Sequence, residues 1–85
     1  MNEKISYVIS STYRMGVMGV LSSGMNTPTN IANKCNIRVN HISRVLKELT
    51  NMGLIECLTP TVKKGRLYNL TDDGLKVVEL INKMG

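Results

Sequence analysis

Residues 27–51 read TPTNIANKCNIRVNHISRVLKELTN, and this stretch decides the fold. Thr27 can accept the orphan amide bonds of a helix start as N-cap, and Pro28 at the first helical position forfeits no needed donor. A short helix over about 28–35 follows, with Ile31 and Ala32 facing inward. Asn36 tolerates the left-handed conformation that closes such a helix, and Ile37 is placed to tuck under the turn. From about 39 to 51 the apolar positions Val39, Ile42, Val45, Leu46 and Leu49 fall in one arc at about 100° per residue. The opposite arc carries Asn40, Ser43, Arg44 and Lys47, with His41 on its flank and one acid, Glu48, toward its edge. Two short helices joined by a tight turn, the second with a polar outer face, make a helix-turn-helix.

The flanks extend this unit. Upstream, Tyr13, Val17, Val20 and Leu21 follow helical spacing and predict a helix over about 11–22, with Ser10 as N-cap and Gly24 as a left-handed stop. Gly16 and Gly19 inside it each cost about 1 kcal/mol relative to Ala, a penalty explained if another backbone packs close there. Ile5, Val8 and Ile9 form a short apolar segment compatible with helix or strand. Downstream, Gly53 ends the third helix, and residues 54–58 and 67–70 read as strands joined by a hairpin whose tip holds Lys63-Lys64-Gly65-Arg66. Thr71 then caps a last helix with Asp72 and Asp73 in its first turn, where the macrodipole favours acids. The expected architecture is mainly α with a small β-hairpin, a single domain over 1–85. Within it the helix-turn-helix spans about 27–52, the hairpin or wing about 54–70, and the C-terminal helix about 72–84.

Composition narrows the function. The 85 residues are 42% hydrophobic and 20% charged, which is the balance of a chain that folds rather than one that stays disordered. There is no Trp or Phe, and Tyr7, Tyr13 and Tyr68 are the only rings beside His41, too few for a base-stacking sheet of the single-strand or RNA type. Glu3 and the polar run through Arg14 argue against a signal peptide or membrane span, so the cytoplasm is the expected address. Cys35 and Cys57 are far apart, without a CxxC and with one His in the chain, so no structural metal site and no cofactor are expected. They read as small buried hydrophobes, with a redox pair or a weak sensor built from Cys35, His41 and Cys57 as the sharper alternative. The six Met are read as gap-filling core, Met15 and Met18 being able to face a partner. No catalytic residue is expected, because no nucleophile or carboxylate is suggested beside His41.

Charge is distributed unevenly. The formal net charge is +5 and the pI about 9.5. Residues 34–66 hold Lys34, Arg38, Arg44, Lys47, Lys63, Lys64 and Arg66 against Glu48 and Glu56, and so carry the whole excess. A merely solvated face would account for it, but its coincidence with the second helix and the hairpin tip points to a polyanion. In a helix-turn-helix the second helix lies in the DNA major groove, its N-terminal residues meeting base edges. Asn40 suits the donor and acceptor pair of adenine, and Arg44 the two acceptors of guanine. Ser43, Lys47 and the start of the preceding helix at Thr27 and Thr29 suit phosphates. Arg38 could serve either purpose, and Lys63, Lys64 and Arg66 could reach the adjacent minor groove or its phosphates.

The words TPTNIANKCNI (27–37), RVNHISRVLKELTNMGLIECLTP (38–60) and KKGRLYNLTDDG (63–74) carry a family likeness. They resemble winged helix-turn-helix transcription regulators of the MarR, ArsR and PadR type, and most of all the small single-domain regulators common in archaea. The resemblance covers about residues 13–78. It implies sequence-specific binding of double-stranded DNA as a homodimer, usually to repress transcription, with recognition-helix contacts at Asn40, His41, Ser43 and Arg44 and wing contacts at Lys63, Lys64 and Arg66. Arg38 stands where the family often has a Ser, Asp or Thr cap, and no effector-binding insert is present.

The last helix bears on assembly. Val77, Val78, Leu80, Ile81 and Met84 span about 160°, wider than the stripe of about 100° that one-sided packing needs. A second subunit is therefore expected on Val77, Leu80, Ile81 and Met84, together with Ile5, Val8 and Ile9. Two other classes of function fit the same fold: an adaptor that binds another protein, and a thiol-responsive regulator.

Overall fold

The computed structural model describes residues 2–84. The chain runs α1 (Asn2–Ile9), α2 (Thr12–Ser22), α3 (Pro28–Cys35), α4 (Val39–Asn51), β1 (Ile55–Cys57), β2 (Tyr68–Leu70) and α5 (Asp72–Met84). The ambiguous N-terminal segment is helical. Its end is marked by the Ser10 hydroxyl donating to the Tyr7 carbonyl at 2.8 Å. Ser10 is thereby occupied, and the N-cap of α2 falls one residue later than expected. Ser11, in extended conformation, accepts from the Arg14 amide at 3.3 Å.

The helix-turn-helix forms as its local signals dictate. Thr27 Oγ1 accepts from the Asn30 amide at 3.3 Å, Pro28 opens α3, and Asn36 closes it at φ 56, ψ 45. The Ile37 amide then donates to the Ala32 carbonyl at 3.0 Å, and its side chain packs against the core. Arg38 makes no side-chain cap, yet α4 starts at Val39, because the extended Arg38 backbone carbonyl accepts from the His41 and Ile42 amides at 3.0 and 3.1 Å. Val39, expected inward, is exposed, since it lies at the open start of the helix.

One core serves every element. Val8 of α1, Val17, Met18 and Leu21 of α2, Ile31 of α3, Ile42, Val45, Leu46 and Leu49 of α4, Leu54, Ile55 and Leu70 of the hairpin, and Val77 of α5 are all buried in it. Among the described residues no polar or charged side chain is buried with them, so each large aliphatic side chain contributes about 1.5–3 kcal/mol without an offsetting polar penalty. Two expectations for assembly change here. Val8 and Val77 are fully enclosed by the chain's own core and leave no surface for a second subunit. Met18 is core as well, whereas Met15, Met25 and Met84 are exposed, so the methionines do not fill the core as a group.

The glycines correct a further expectation. A Cβ on Gly16 would meet the Cys35 side chain, Sγ at 3.2 Å, and one on Gly19 would meet nothing, so neither marks a close backbone approach. That role belongs to Gly74, where a Cβ would overlap the Leu54 carbonyl. Thr71 locks the same junction: its amide donates to Leu54 O at 3.1 Å, its hydroxyl donates to Gly53 O at 2.6 Å, and it accepts from the Gly74 amide at 3.1 Å. Lys4 Nζ reaches Asp73 Oδ2 at 3.0 Å and ties α1 to the start of α5.

β1 and β2 pair antiparallel, Ile55 opposite Leu70, Glu56 opposite Asn69 and Cys57 opposite Tyr68. Both strands are shorter than expected. Leu58 still donates to Leu67 O at 2.7 Å, but the Leu67 amide is taken by Thr59 Oγ1 at 3.0 Å, which ends the backbone ladder. Beyond the hairpin, Asn26 pairs with Tyr68 through reciprocal amide–carbonyl bonds of 3.0 and 2.9 Å. The base of the wing is thus stitched to the residue preceding the Thr27 cap.

Candidate nucleic-acid interface

That stitch creates a concave surface. The start of α3, the flank of α4 and the wing enclose a groove of about 760 Å³. Thr27, Pro28 and Thr29 form one wall; Ser43, Lys47, Thr50 and Asn51 another; residues 63–66 the third, with Cys57 and Tyr68 at the base of the hairpin. Lys47, Lys63, Lys64 and Arg66 line it and no carboxylate does. A concave surface lined by one sign of charge focuses its field outward and raises the local concentration of an opposite charge.

Above the groove stands the exposed crest of α4. At about 100° per residue Lys47, Asn40 and Arg44 occupy about 60° of arc, with Ser43 and Lys47 on the wing side and Arg44 at the far edge. Asn40 and Arg44 are exposed and line no wall of the groove. Arg38 is exposed at the turn. The cations of α4 and of the wing therefore converge, with Arg44 displaced around the crest.

Two expected site residues are engaged elsewhere. His41 is half-buried, its ring 5.8 Å from that of Tyr13 and tilted by 53°, so it leans on α2 and away from the groove. Arg66 lines the groove, but its Nε donates to the Val62 carbonyl at 2.7 Å and braces the wing tip, whose turn passes through Gly65 at φ 68. Thr50 and Asn51 were not foreseen on the groove wall. Their spacing of seven and eight from Ser43 puts them on the same flank, a signal the helical wheel already held.

The cysteines lie in different surroundings. Cys57 sits in the cationic groove, while Cys35 lines a separate one of about 650 Å³ between α2 and the turn after α3. Both thiols are free. Burial pushes the Cys35 thiol above its ordinary range, which suppresses the reactive thiolate. Among the described residues no three His, Cys, Asp or Glu side chains converge on a common point, and no helix is long and apolar enough to cross a membrane.

The winged helix-turn-helix family profile matches residues 14–85. No curated protein matches the sequence. Among solved structures, the chain superposes on ZitR from Lactococcus lactis in complex with DNA, with 25% identity, a TM-score of 0.66, and coverage of 74% of this chain and 43% of that one. It also superposes on NMB1585, a MarR family regulator from Neisseria meningitidis, with 25% identity, a TM-score of 0.79, and coverage of 87% and 54%. The homodimeric winged helix-turn-helix DNA-binding domain of Mb0332 from Mycobacterium bovis gives 17% identity, a TM-score of 0.80, and coverage of 96% and 75%, a likeness of fold. The chain spans about half the length of ZitR and of NMB1585. With the profile running from α2 through the end of the chain, over the same helix-turn-helix and hairpin that the coordinates display, the chain belongs to the winged helix-turn-helix family.

Proposed function

We propose that the chain is a sequence-specific regulator of transcription that binds double-stranded DNA as a homodimer and represses. The observation that carries this reading is the groove between α4 and the wing, where four cations meet without a carboxylate. The DNA-bound ZitR neighbour and the homodimeric Mb0332 neighbour support it by likeness.

The division of labour follows from placement. The crest of α4 enters the major groove, with Asn40 and Arg44 meeting base edges through paired hydrogen bonds. Lys47, Ser43, the Thr29 hydroxyl and the α3 start beside Thr27 contact one phosphate strand, positioning the duplex without reading it. Lys63 and Lys64 at the wing tip meet the neighbouring strand or minor groove. Arg66 holds the tip in shape and offers its remaining guanidinium edge. Arg38 flanks the crest toward the phosphates, and His41 supports α4 from behind through Tyr13. Binding, not catalysis, is the proposed role.

The second subunit packs on what α1 and α5 leave uncovered. Ile9, Leu80 and Met84 are exposed, and Ile5 and Ile81 are half-buried. A two-fold dimer would present its two crests to half-sites about 34–36 Å apart. Selection of bound duplexes from a random library tests the whole reading. An enriched palindrome supports it; a chain that retards no duplex at low salt, yet retains one stoichiometric protein in a pull-down, would replace it with the adaptor reading.

A further inference from the structure

Arg14 lies outside the groove, yet it makes more polar contacts than any other side chain among the described residues. It projects from the first turn of α2 between α1 and α4. Its guanidinium carbon lies 3.7 Å from the centroid of the Tyr7 ring. Nη1 donates to Ser10 Oγ at 3.3 Å and, at 2.9 Å, to the Tyr7 carbonyl that already accepts from the Ser10 hydroxyl, at the C-terminus of α1 where the helix dipole favours a cation. With the fork held at that end, Nε donates to Glu48 Oε1 of α4 at 3.4 Å. The Arg14 side chain is 19% exposed and that of Glu48 33%.

Glu48 is four residues beyond Arg44, the separation at which opposite charges on a helix face pair. The two ion pairs among the described residues are Lys4–Asp73 and Arg14–Glu48, so Glu48 is turned to α2 and Arg44 has no acidic partner. Glu48 is also the one acid on α4. Left unpaired, it would both compete for Arg44 and bring a negative charge toward the phosphates.

We propose that Arg14 is a specificity-determining positioning residue: by holding Glu48 against α2 it keeps Arg44 free to read a base. The inference rests on the DNA-binding role proposed above and adds to it a residue that touches no DNA. Arg14 acts through Glu48, and so its loss is relieved by removing Glu48.

The test is an epistasis measurement on the full chain, using the duplex that the wild-type chain enriches from a random library. Arg14→Ala should weaken binding roughly two- to fivefold per subunit, and by the square of that for a dimer on a palindrome. Glu48→Ala alone should bind at least as tightly as wild type. The Arg14→Ala, Glu48→Ala double variant should recover wild-type affinity, although it shares every packing loss of Arg14→Ala. In an Arg44→Ala background, the effect of Arg14→Ala should shrink to the part that Glu48 exerts on the phosphates. Arg14→Gln, which keeps a donor for the Tyr7 carbonyl but not the charge, should behave as Arg14→Ala and guards against loss of the fold, which thermal melts monitor. The inference alone is overturned if Arg14→Ala and Arg14→Gln bind as wild type, if Glu48→Ala is as damaging as Arg14→Ala, or if the double variant shows no recovery. A wild-type chain that enriches no duplex overturns the DNA-binding role and this inference together.

Discussion

Replacing Lys63 and Lys64 by alanine tests the groove most directly. Both side chains are exposed on the wing and make no ion pair or hydrogen bond among the described residues, so their removal leaves folding untouched. If Lys47, Lys63, Lys64 and Arg66 each meet one phosphate, a dimer neutralises about eight, and log K falls against log salt with a slope of about −7. Between 50 and 200 mM salt this is a loss of about 10⁴ in affinity. The double substitution removes about four of those contacts, reducing the slope to about −3.6 and the loss to about 10². Fluorescence anisotropy with a labelled duplex at three or more salt concentrations reads both slopes. The substitution should weaken enriched and random duplexes by similar factors. An unchanged slope would place the wing away from the phosphates, and a shifted base preference would mean that the tip reads sequence; either result refutes the division of labour.

Arg44→Ala and Asn40→Ala should each relax preference at one base position by about 1–3 kcal/mol per lost bidentate contact, seen as degeneracy when the library selection is repeated. Gly74→Ala should destabilise the fold by about 1–3 kcal/mol through overlap with the Leu54 carbonyl, while Gly19→Ala, with open space at its Cβ, should stabilise α2 by about 0.5–1 kcal/mol; urea unfolding measures both. The hydrogen bond from Lys4, reinforced by its charge, holds the Asp73 carboxyl below the usual carboxylate range. The folded state therefore binds that proton less readily than the unfolded chain, so the pair stabilises above the ordinary carboxylate pKa of about 4, and its contribution is lost as pH falls through the lower folded value. Asp73→Asn should remove this acid-dependent component and bring the urea midpoints at pH 7 and pH 3 closer together.

The parts of the fold legible in the sequence are those written in local chemistry. α3 and α4 fall where Thr27, Pro28, Asn36 and the period of Ile42, Val45, Leu46 and Leu49 place them, because caps and amphipathic spacing act within a few residues. The length of α1 is eight residues, too short for propensity to separate helix from strand, and its helical form comes from packing Val8 into the core. The Asn26–Tyr68 pairing links residues far apart in the chain and leaves no periodic trace, so the groove it closes could not be read in advance. At the site, exposure of Asn40, Ser43, Arg44 and Lys47 followed from the wheel, but the turning of His41 to Tyr13 and of Arg66 Nε to Val62 depends on neighbours that only the folded chain supplies. Burial of Val77 was hidden for the same reason: a wide apolar arc on the last helix does not say which edge its own core will take.

The strength of the groove's field depends as much on where the acids are kept as on how many cations there are. Six carboxylates are enough to offset more than half of the eleven Lys and Arg charges if they were interspersed among them. Asp73 is spent on Lys4 at the opposite end of the hairpin, beside Asp72 at the start of α5, where the helix dipole favours both. Glu48, the acid nearest the crest, is turned to Arg14, and Glu56 lines a different depression, with Asp72 and Asp73. The ion pairs that hold α1 onto α5 and α2 onto α4 thus also keep negative charge away from the groove. A surface pair of this kind contributes little to stability. Its larger effect is electrostatic partition: with the nearby acids engaged elsewhere, the groove of a modestly basic chain is lined by cations alone.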